Sequence, residues 1–203
     1  YLQIIKGFTP VAAGFAFLPF SLGIIVTAGI ASNLLPKVGP RPLMVPGLVL
    51  AAIGLLWLTT IEKDSSYVTH VLPSMIIMSI GMALTFIPTA STALHGIGGQ
   101  DAGVASALIN SAQQVGGSIG TSLLNTVAVS TTAAYLVTNP LTGPPVGPDG
   151  VFNEVYKSAL TDGYTSAFKV GAALLLIAAV IVAVLIRIGP ESLKETEGAV
   201  HMG

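Results

Sequence analysis

Long stretches without a charged side chain constrain this sequence more than any other feature. No Asp, Glu, Lys or Arg occurs in residues 7–36, 42–61, 65–100, 102–148 or 170–186. A helix needs about 20 apolar residues to cross the hydrocarbon core of a bilayer. Charged residues make up only 8% of the chain, against about 25% in an ordinary soluble domain. The chain is therefore expected to be an integral membrane protein.

The charge-free stretches predict five membrane-spanning helices, at residues 12–35, 43–61, 68–94, 104–135 and 164–188. Inside lipid the backbone must satisfy its own hydrogen bonds, which leaves helices or closed barrels. The strict alternation that is typical of barrel strands is absent. The predicted fold class is all-α, a polytopic membrane helix bundle. The fourth stretch is too long for one crossing, so its end is expected to project beyond the hydrocarbon.

The rest of the chain is expected to form connections, one irregular loop and a tail. Residues 139–150 are rich in Pro and Gly, which predicts irregular structure. The apolar spacing of residues 151–160 predicts a helix at the membrane interface. Residues 1–189 are thus predicted to form one membrane domain and residues 190–203 a flexible tail. Residues 1–5 resemble the last turn of an earlier helix, so we interpret the sequence as part of a longer chain.

The positions of the tyrosines and the tryptophan agree with five helices that alternate in direction across the membrane. Tyr and Trp favour the headgroup level of a membrane. Alternation would place every Tyr and the single Trp on one side: Tyr1, Trp57, Tyr67, Tyr135, Tyr156 and Tyr164. The lysines and arginines divide equally between the two sides, so charge alone leaves the orientation open.

The sequence offers no catalytic constellation and predicts no cofactor or metal. It has no Cys, which excludes disulfides, zinc–thiolate sites and thiol catalysis. His70, His95 and His201 share no metal-ligand spacing, and no pair of acidic residues suits acid–base chemistry. The glycine pairs match no nucleotide-binding loop. With 8 basic and 9 acidic residues, the chain has no positive field for nucleic acid.

The fourth predicted helix carries the most informative pattern. At about 100° per residue, polar side chains form one stripe and small residues form a second stripe on nearly the opposite face. These are Asn110, Gln114, Ser118, Thr121 and Asn125 in the first, and Ala112, Gly116 and Gly120 in the second. Small residues four apart let another helix approach closely, which predicts packing. Amides in a membrane need a partner helix or water, so the polar stripe could join helices, line a cavity or contact a substrate.

The third predicted helix is rich in methionine and hydroxyl side chains. Methionine surfaces adapt to varied apolar ligands, although ordinary helix packing explains the same composition. The candidates for a substrate path are Met75, Met78, Ser79 and Thr85 on this helix, and Asn110, Gln114, Ser118 and Thr121 on the fourth.

Two connections carry charged residues that could act in gating. Lys37, Gly39 and Arg41 lie in a predicted turn with three prolines, and Asp101 directly precedes the fourth helix. The basic residues are explained equally well as topology determinants, and Asp101 suits an N-cap. These four residues are the gating-loop candidates.

Three segments, in order, resemble one family. Residues 1–19, from Tyr1-Leu2-Gln3 to Pro19, resemble the start of the C-terminal half of the major facilitator drug:proton antiporters of the fourteen-helix (EmrB/QacA) type. The turn Lys37-Val-Gly-Pro-Arg41 is similar to the short basic turn of that half. Residues 101–120, ending in Gln114-Val-Gly-Gly-Ser-Ile-Gly120, resemble the penultimate helix of these proteins.

The resemblance implies a proton-coupled exporter of drugs or other amphipathic small molecules in the bacterial plasma membrane. Its implied partners are the lipid bilayer, a small-molecule substrate, protons and an N-terminal half that has no counterpart here. Residues 37–41, residues 95–101 and the C-terminal tail would be cytoplasmic, and the aromatic residues would lie outside. Three alternatives remain open: a non-transporting membrane subunit or scaffold, a major facilitator importer of a metabolite, and an intramembrane enzyme.

Overall fold

The computed structural model describes residues 1–94, 96–98, 100–147 and 150–186, and within these ranges the chain is almost entirely helical. The helices are α1 (Pro10–Ala16), α2 (Leu18–Val38), α3 (Arg41–Leu58), α4 (Leu72–Leu94), α5 (Ala102–Thr138) and α6 (Glu154–Leu185). A short π-helix, Tyr67–Val71, leads into α4. The only β-structure in these ranges is a single bridge between Val146 and Phe152. The all-α prediction is confirmed.

Four of the described helical segments are long and apolar enough to cross a membrane: Pro10–Val38, Arg41–Leu58, Tyr67–Leu94 and Glu154–Leu185. They match four of the five predicted spans. The remaining predicted span, at residues 104–135, corresponds to α5. This helix has 37 residues but is less apolar, because its amides and hydroxyls lower its hydropathy. A membrane crossing by α5 therefore stays a prediction.

The helices pack side by side in the order α2, α4, α3, α6, α5. Glycines permit a close approach between α3 and α4. A Cβ atom on Gly81 would lie 2.5 Å from the backbone oxygen of Gly47 and the backbone nitrogen of Ala51. No side chain fits in that space, so the two backbones are in direct contact. α5 lies at the edge of the row.

Prolines lie at the two described irregularities of the helices, the break before α2 and the π-helix before α4. The predicted span 12–35 is interrupted at Phe17, which separates α1 from α2, and Pro19 lies in the first turn of α2. Proline lacks the N–H that would continue the helical ladder and its ring clashes with the preceding turn. Pro73 occupies the same position in α4, directly after the π-helix. The predicted span at residues 12–35 therefore consists of two helices, α1 and α2, within one apolar segment.

The predicted turn at residues 36–42 is shorter than expected. α2 continues through Pro36 and Lys37 to Val38, and α3 begins at Arg41, so only Gly39 and Pro40 connect them. Gly39 has φ 81°, a conformation that glycine adopts without steric cost. The turn is compact because Gly39 ends one helix and Pro40 precedes the next.

The helical spacing predicted at residues 151–160 belongs, from Glu154 onward, to the long helix α6, and its place at the membrane interface stays a prediction. α6 begins at Glu154 and runs without interruption to Leu185. It begins there because the side chain of Asn153 accepts a hydrogen bond from the backbone N–H of Val155 at 2.9 Å and caps the helix. The predicted tail, His95 and the end of the fifth predicted span lie outside the described residues.

Candidate functional site

An apolar cavity of about 500 Å³ lies between the N-terminal segment and helices α1, α2, α3, α4 and α6. Its size is within the usual range of small-molecule sites. Aromatic and methionine side chains form much of its wall, with aliphatic residues between them. The lining residues are Tyr1, Leu2, Gln3, Ile4, Ala13, Phe17, Phe20, Leu58, Ile61, Val71, Met75, Met78 and Phe168. No charged side chain is among them.

Local sequence explains how this wall forms. The break between α1 and α2 brings Phe17 and Phe20 to the cavity, and α6 adds Phe168. Met75 and Met78 are three residues apart on α4, so they share one side of that helix. Phenyl rings and thioethers together form a surface that accepts flat apolar groups in more than one orientation.

Two of the eight substrate-path candidates, Met75 and Met78, line this cavity. Two others on α4 lie at helix contacts instead. Ser79 is fully buried and donates a hydrogen bond to the carbonyl of Ile76 at 2.8 Å, and its hydroxyl lies against α2 where a Cβ on Gly23 would be. Thr85 donates to the carbonyl of Gly81 at 2.9 Å, beside α3. Their hydroxyls are engaged with their own helix.

The four candidates on α5 are all exposed: Asn110, Gln114, Ser118 and Thr121. α5 has no buried residue along its length. The small stripe is open as well, since a Cβ on Gly116 or Gly120 would meet nothing within 4 Å, and Ala112 is exposed. Within the described part of the chain, the predicted packing of Ala112, Gly116 and Gly120 has no partner helix. That packing stays a prediction.

The contact of α5 with α6 includes a close approach in the C-terminal half of α5. A Cβ on Gly163 would lie 2.5 Å from the carbonyl oxygen of Ala128 and would clash with the hydroxyl of Thr132. That hydroxyl donates to the carbonyls of Ala128, at 2.8 Å, and Ala159, at 3.2 Å. The α5–α6 contact therefore depends on a glycine of α6.

The gating-loop candidates lie at helix ends. Lys37 and Arg41 are exposed on either side of the Gly39 link, and neither forms an ion pair with a described residue. Asp101 occupies the N-cap position of α5, but its side chain makes no capping hydrogen bond. Their role in gating stays a prediction.

A second, polar cavity of about 460 Å³ adjoins the apolar one, and Ile61 belongs to the walls of both. No sequence pattern indicates this second cavity. Its charged lining residues are Glu62, Lys63, Asp64, Asp162 and Lys169. They come from the α3–α4 connection and from the first half of α6, so only the tertiary structure brings them together.

An ion pair joins these two segments. Lys63 Nζ lies 3.0 Å from Glu154 Oε2, and Lys157 Nζ lies 3.1 Å from Glu154 Oε1. The hydrogen bond and the negative charge of Glu154 raise the pKa of Lys63. All three side chains are accessible to solvent, so the pair is expected to orient the connection more than to stabilise the fold.

The same end of the bundle holds most of the aromatic residues with polar tips. Tyr1 donates to the carbonyl of Glu62 at 2.6 Å, Tyr135 lines the polar cavity, and Tyr156 lies in the first turns of α6. Trp57 and Tyr67 are at the end of α3 and at the start of the π-helix. The predicted alternation of helix direction is consistent with this clustering.

Comparison with known proteins decides the family. Residues 1–121 match the family model of the Major Facilitator Superfamily, which is more than half of the chain. The chain belongs to this superfamily. It is therefore an integral, multi-pass membrane protein of a transporter family, and the predicted major facilitator membership is confirmed.

Relatives of this facilitator chain carry names of resistance and export proteins. It is 42% identical over 202 residues to the puromycin resistance protein pur8 of Streptomyces alboniger, a match that covers 98% of this chain and 38% of the relative. It is 34% identical to the cephamycin export protein CmcT of Amycolatopsis lactamdurans, over 65% of this chain and 27% of the relative. It is 29% identical to the tetracenomycin C resistance and export protein of Streptomyces glaucescens, over 89% of this chain and 38% of the relative. The chain thus spans well under half the length of these relatives.

Proposed function

We propose that this facilitator chain contributes to an exporter of drugs or other amphipathic small molecules. The observation that carries the proposal is the apolar cavity, whose wall is rich in phenyl and methionine side chains of the kind that suit flat apolar groups. The 42% identity to a protein named for puromycin resistance supports it. Helices of major facilitator halves move as units around a midplane site, and α4 supplies two side chains to the cavity.

Three finer features belong to the same proposal. The proton gradient drives export, the protein resides in the bacterial plasma membrane, and its C-terminal tail is cytoplasmic. The relatives support the second feature, because they are bacterial proteins. The polar stripe of α5 faces the substrate path, which its exposure permits.

Drug accumulation in a bacterial strain that lacks its own exporters tests the proposal. Cells that express the natural full-length protein should accumulate less puromycin than control cells, and an uncoupler that collapses the proton gradient should abolish the difference. Met78→Ala should weaken export about 5-fold, because it removes roughly 1 kcal/mol of apolar contact. Met82→Ala is the matched control, since Met82 lies one turn further along α4 and does not line the cavity.

Two results would contradict the proposal. Equal accumulation in expressing and control cells, across puromycin and a panel of amphipathic dyes, would exclude drug export. Higher accumulation in expressing cells would indicate an importer. An equal loss in the Met78 and Met82 variants, at normal membrane abundance, would show that the cavity is not the binding surface.

A further inference from the structure

The two irregular points of the helical framework lie against each other. One is the break at Phe17 between α1 and α2, and the other is the π-helix Tyr67–Val71 that precedes α4. Helix breaks and π-helical turns are frequent at positions where a helix bends or serves a function. Here they come from segments about 50 residues apart in the sequence.

One hydrogen bond joins them. The hydroxyl of Tyr67 donates to the backbone carbonyl of Ala16 at 2.6 Å. Ala16 is the last residue of α1, and carbonyls at the end of a helix need a partner from outside that helix. Tyr67 therefore satisfies a carbonyl next to the helix break.

The ring of Tyr67 is held by packing as well as by its hydroxyl. It contacts a small buried cluster of Leu2, Ala13 and Ala16, and its centroid lies 6.2 Å from that of Phe8, at an interplanar angle of 50°. A phenylalanine ring would keep these apolar contacts. The hydroxyl and the ring can thus be tested separately.

Both irregular segments form walls of the apolar cavity. Ala13 and Phe17 belong to the first, and Val71 belongs to the second. The bond from Tyr67 to Ala16 crosses from one wall to the other. Neither Tyr67 nor Ala16 lines the cavity itself, but their bond ties together the two segments that do.

We propose that the Tyr67 hydroxyl is a latch that holds the α1–α2 break against the π-helix and keeps this end of the apolar cavity narrow. A single hydrogen bond shifts such an equilibrium about 5-fold, which is enough to favour the closed arrangement and small enough to break during each opening. Tyr67 is a positioning residue, because it acts through the Ala16 backbone. The inference concerns the opening of the cavity and does not depend on which molecule the cavity binds.

Cysteine labelling tests the latch without measuring transport. The natural full-length protein, freed of any other cysteine, carries either Ala13→Cys in the cavity wall or Ala179→Cys in α6. These positions are equally buried, at 5% and 4% exposure, and Ala179 does not line the cavity. The rate of N-ethylmaleimide modification is followed by mass spectrometry in the parent, in Tyr67→Phe and in Tyr156→Phe. The hydroxyl of Tyr156 has no hydrogen bond to a described residue, so the last variant is the matched control.

If the Tyr67 hydroxyl is a latch, Tyr67→Phe should raise the labelling rate at Ala13→Cys about 5-fold, because the variant loses one hydrogen bond. The labelling rate at Ala179→Cys should not change. Unchanged rates at both positions would overturn it. Equal increases at both positions, or an equal effect of Tyr156→Phe, would also overturn it, because each would indicate general loosening.

Hydrogen exchange of the unmutated protein gives a second test that needs no stable variant. If the latch couples the two segments, amides of residues 16–21 and of residues 67–73 should open with the same free energy. Independent opening of the two segments would contradict the proposal.

Discussion

The α3–α4 contact and helix α5 show two outcomes for the same kind of residue. Gly47 and Gly81 lie where two helix backbones touch, and any side chain at Gly81 would overlap the α3 backbone. Gly116 and Gly120 of α5 have open space around them. Small residues make close helix packing possible, but they do not by themselves show which helix occupies the space.

Hydroxyl and amide side chains show the same contrast. On α4, Ser79 and Thr85 are directed at helix contacts and bond to backbone carbonyls of their own helix. On α5, Asn110 and Gln114 are exposed. Ser79 and Thr85 of α4 therefore serve the packing of the bundle, whereas Asn110 and Gln114 of α5 are available to a ligand, to water or to another helix.

Glycine replacements should give the largest difference between the two regions. We expect Gly81→Ala to cost about 2–4 kcal/mol of stability, because the new methyl group must push two backbones apart. Gly116→Ala should be neutral or stabilise α5 by about 0.5–1 kcal/mol, because alanine favours the helix and meets no neighbour. Thermal unfolding of the purified natural full-length protein measures both stability changes, and the abundance of each variant in membranes is measured beside it. An equal loss at the two positions would break the comparison and would reveal a close partner at Gly116.

Replacing the amides of the polar stripe on α5 should affect transport more than stability. We expect Asn110→Ala and Gln114→Ala to change stability by less than about 0.5 kcal/mol, as exposed residues do, and to lower export about 5-fold if each loses one hydrogen bond to the substrate path. Gln113→Ala removes an amide that lies outside the polar stripe, about 100° around the helix from Gln114, and is the control. Drug efflux and membrane abundance are measured together. Unchanged export at normal abundance would dispose of the role of the stripe.

The ion pair between Lys63 and Glu154 should give the smallest effect. Lys63→Gln removes it, whereas Lys157→Gln leaves it in place and is the control. The loss of stability should be slight and should shrink between about 0.05 M and 0.5 M salt, because solvent ions screen exposed charges. A large, salt-independent loss would show that this connection is part of the core.

The pH dependence of that pair has a definite sign. Glu154 raises the pKa of Lys63 above its ordinary value of 10.5. A raised pKa means that the folded protein binds the proton more tightly, so the contribution is fully present below 10.5 and is lost as the pH rises through the raised value. Comparing the thermal unfolding of the parent and Lys63→Gln across alkaline pH checks this sign. A difference that grows with pH would contradict it.

Some of the candidate site could be predicted from the sequence. The methionine spacing on α4 predicts an adaptable apolar surface, and Met75 and Met78 both line the cavity. Phe17, Phe20 and Phe168 also line it but are not among the predicted site residues. The spacing of Phe17 and Phe20 beside Pro19 was a usable signal, since aromatic side chains next to a helix break often fill the space that the break creates. Phe168 comes from a distant helix and had no such signal.

The sequence by itself determined the helices, the membrane environment and the family resemblance. Its charge-free stretches require a structure that satisfies its own backbone hydrogen bonds in lipid, and the absence of strand alternation leaves helices. The order of the three segments carried the resemblance. Only the tertiary structure decided where each side chain points: that Gly81 is enclosed while Gly116 is open, that Tyr67 reaches Ala16, and that Ile61 separates an apolar cavity from a polar one. The physical reason is that helix formation depends on residues within a few turns, whereas burial depends on whichever helices pack alongside.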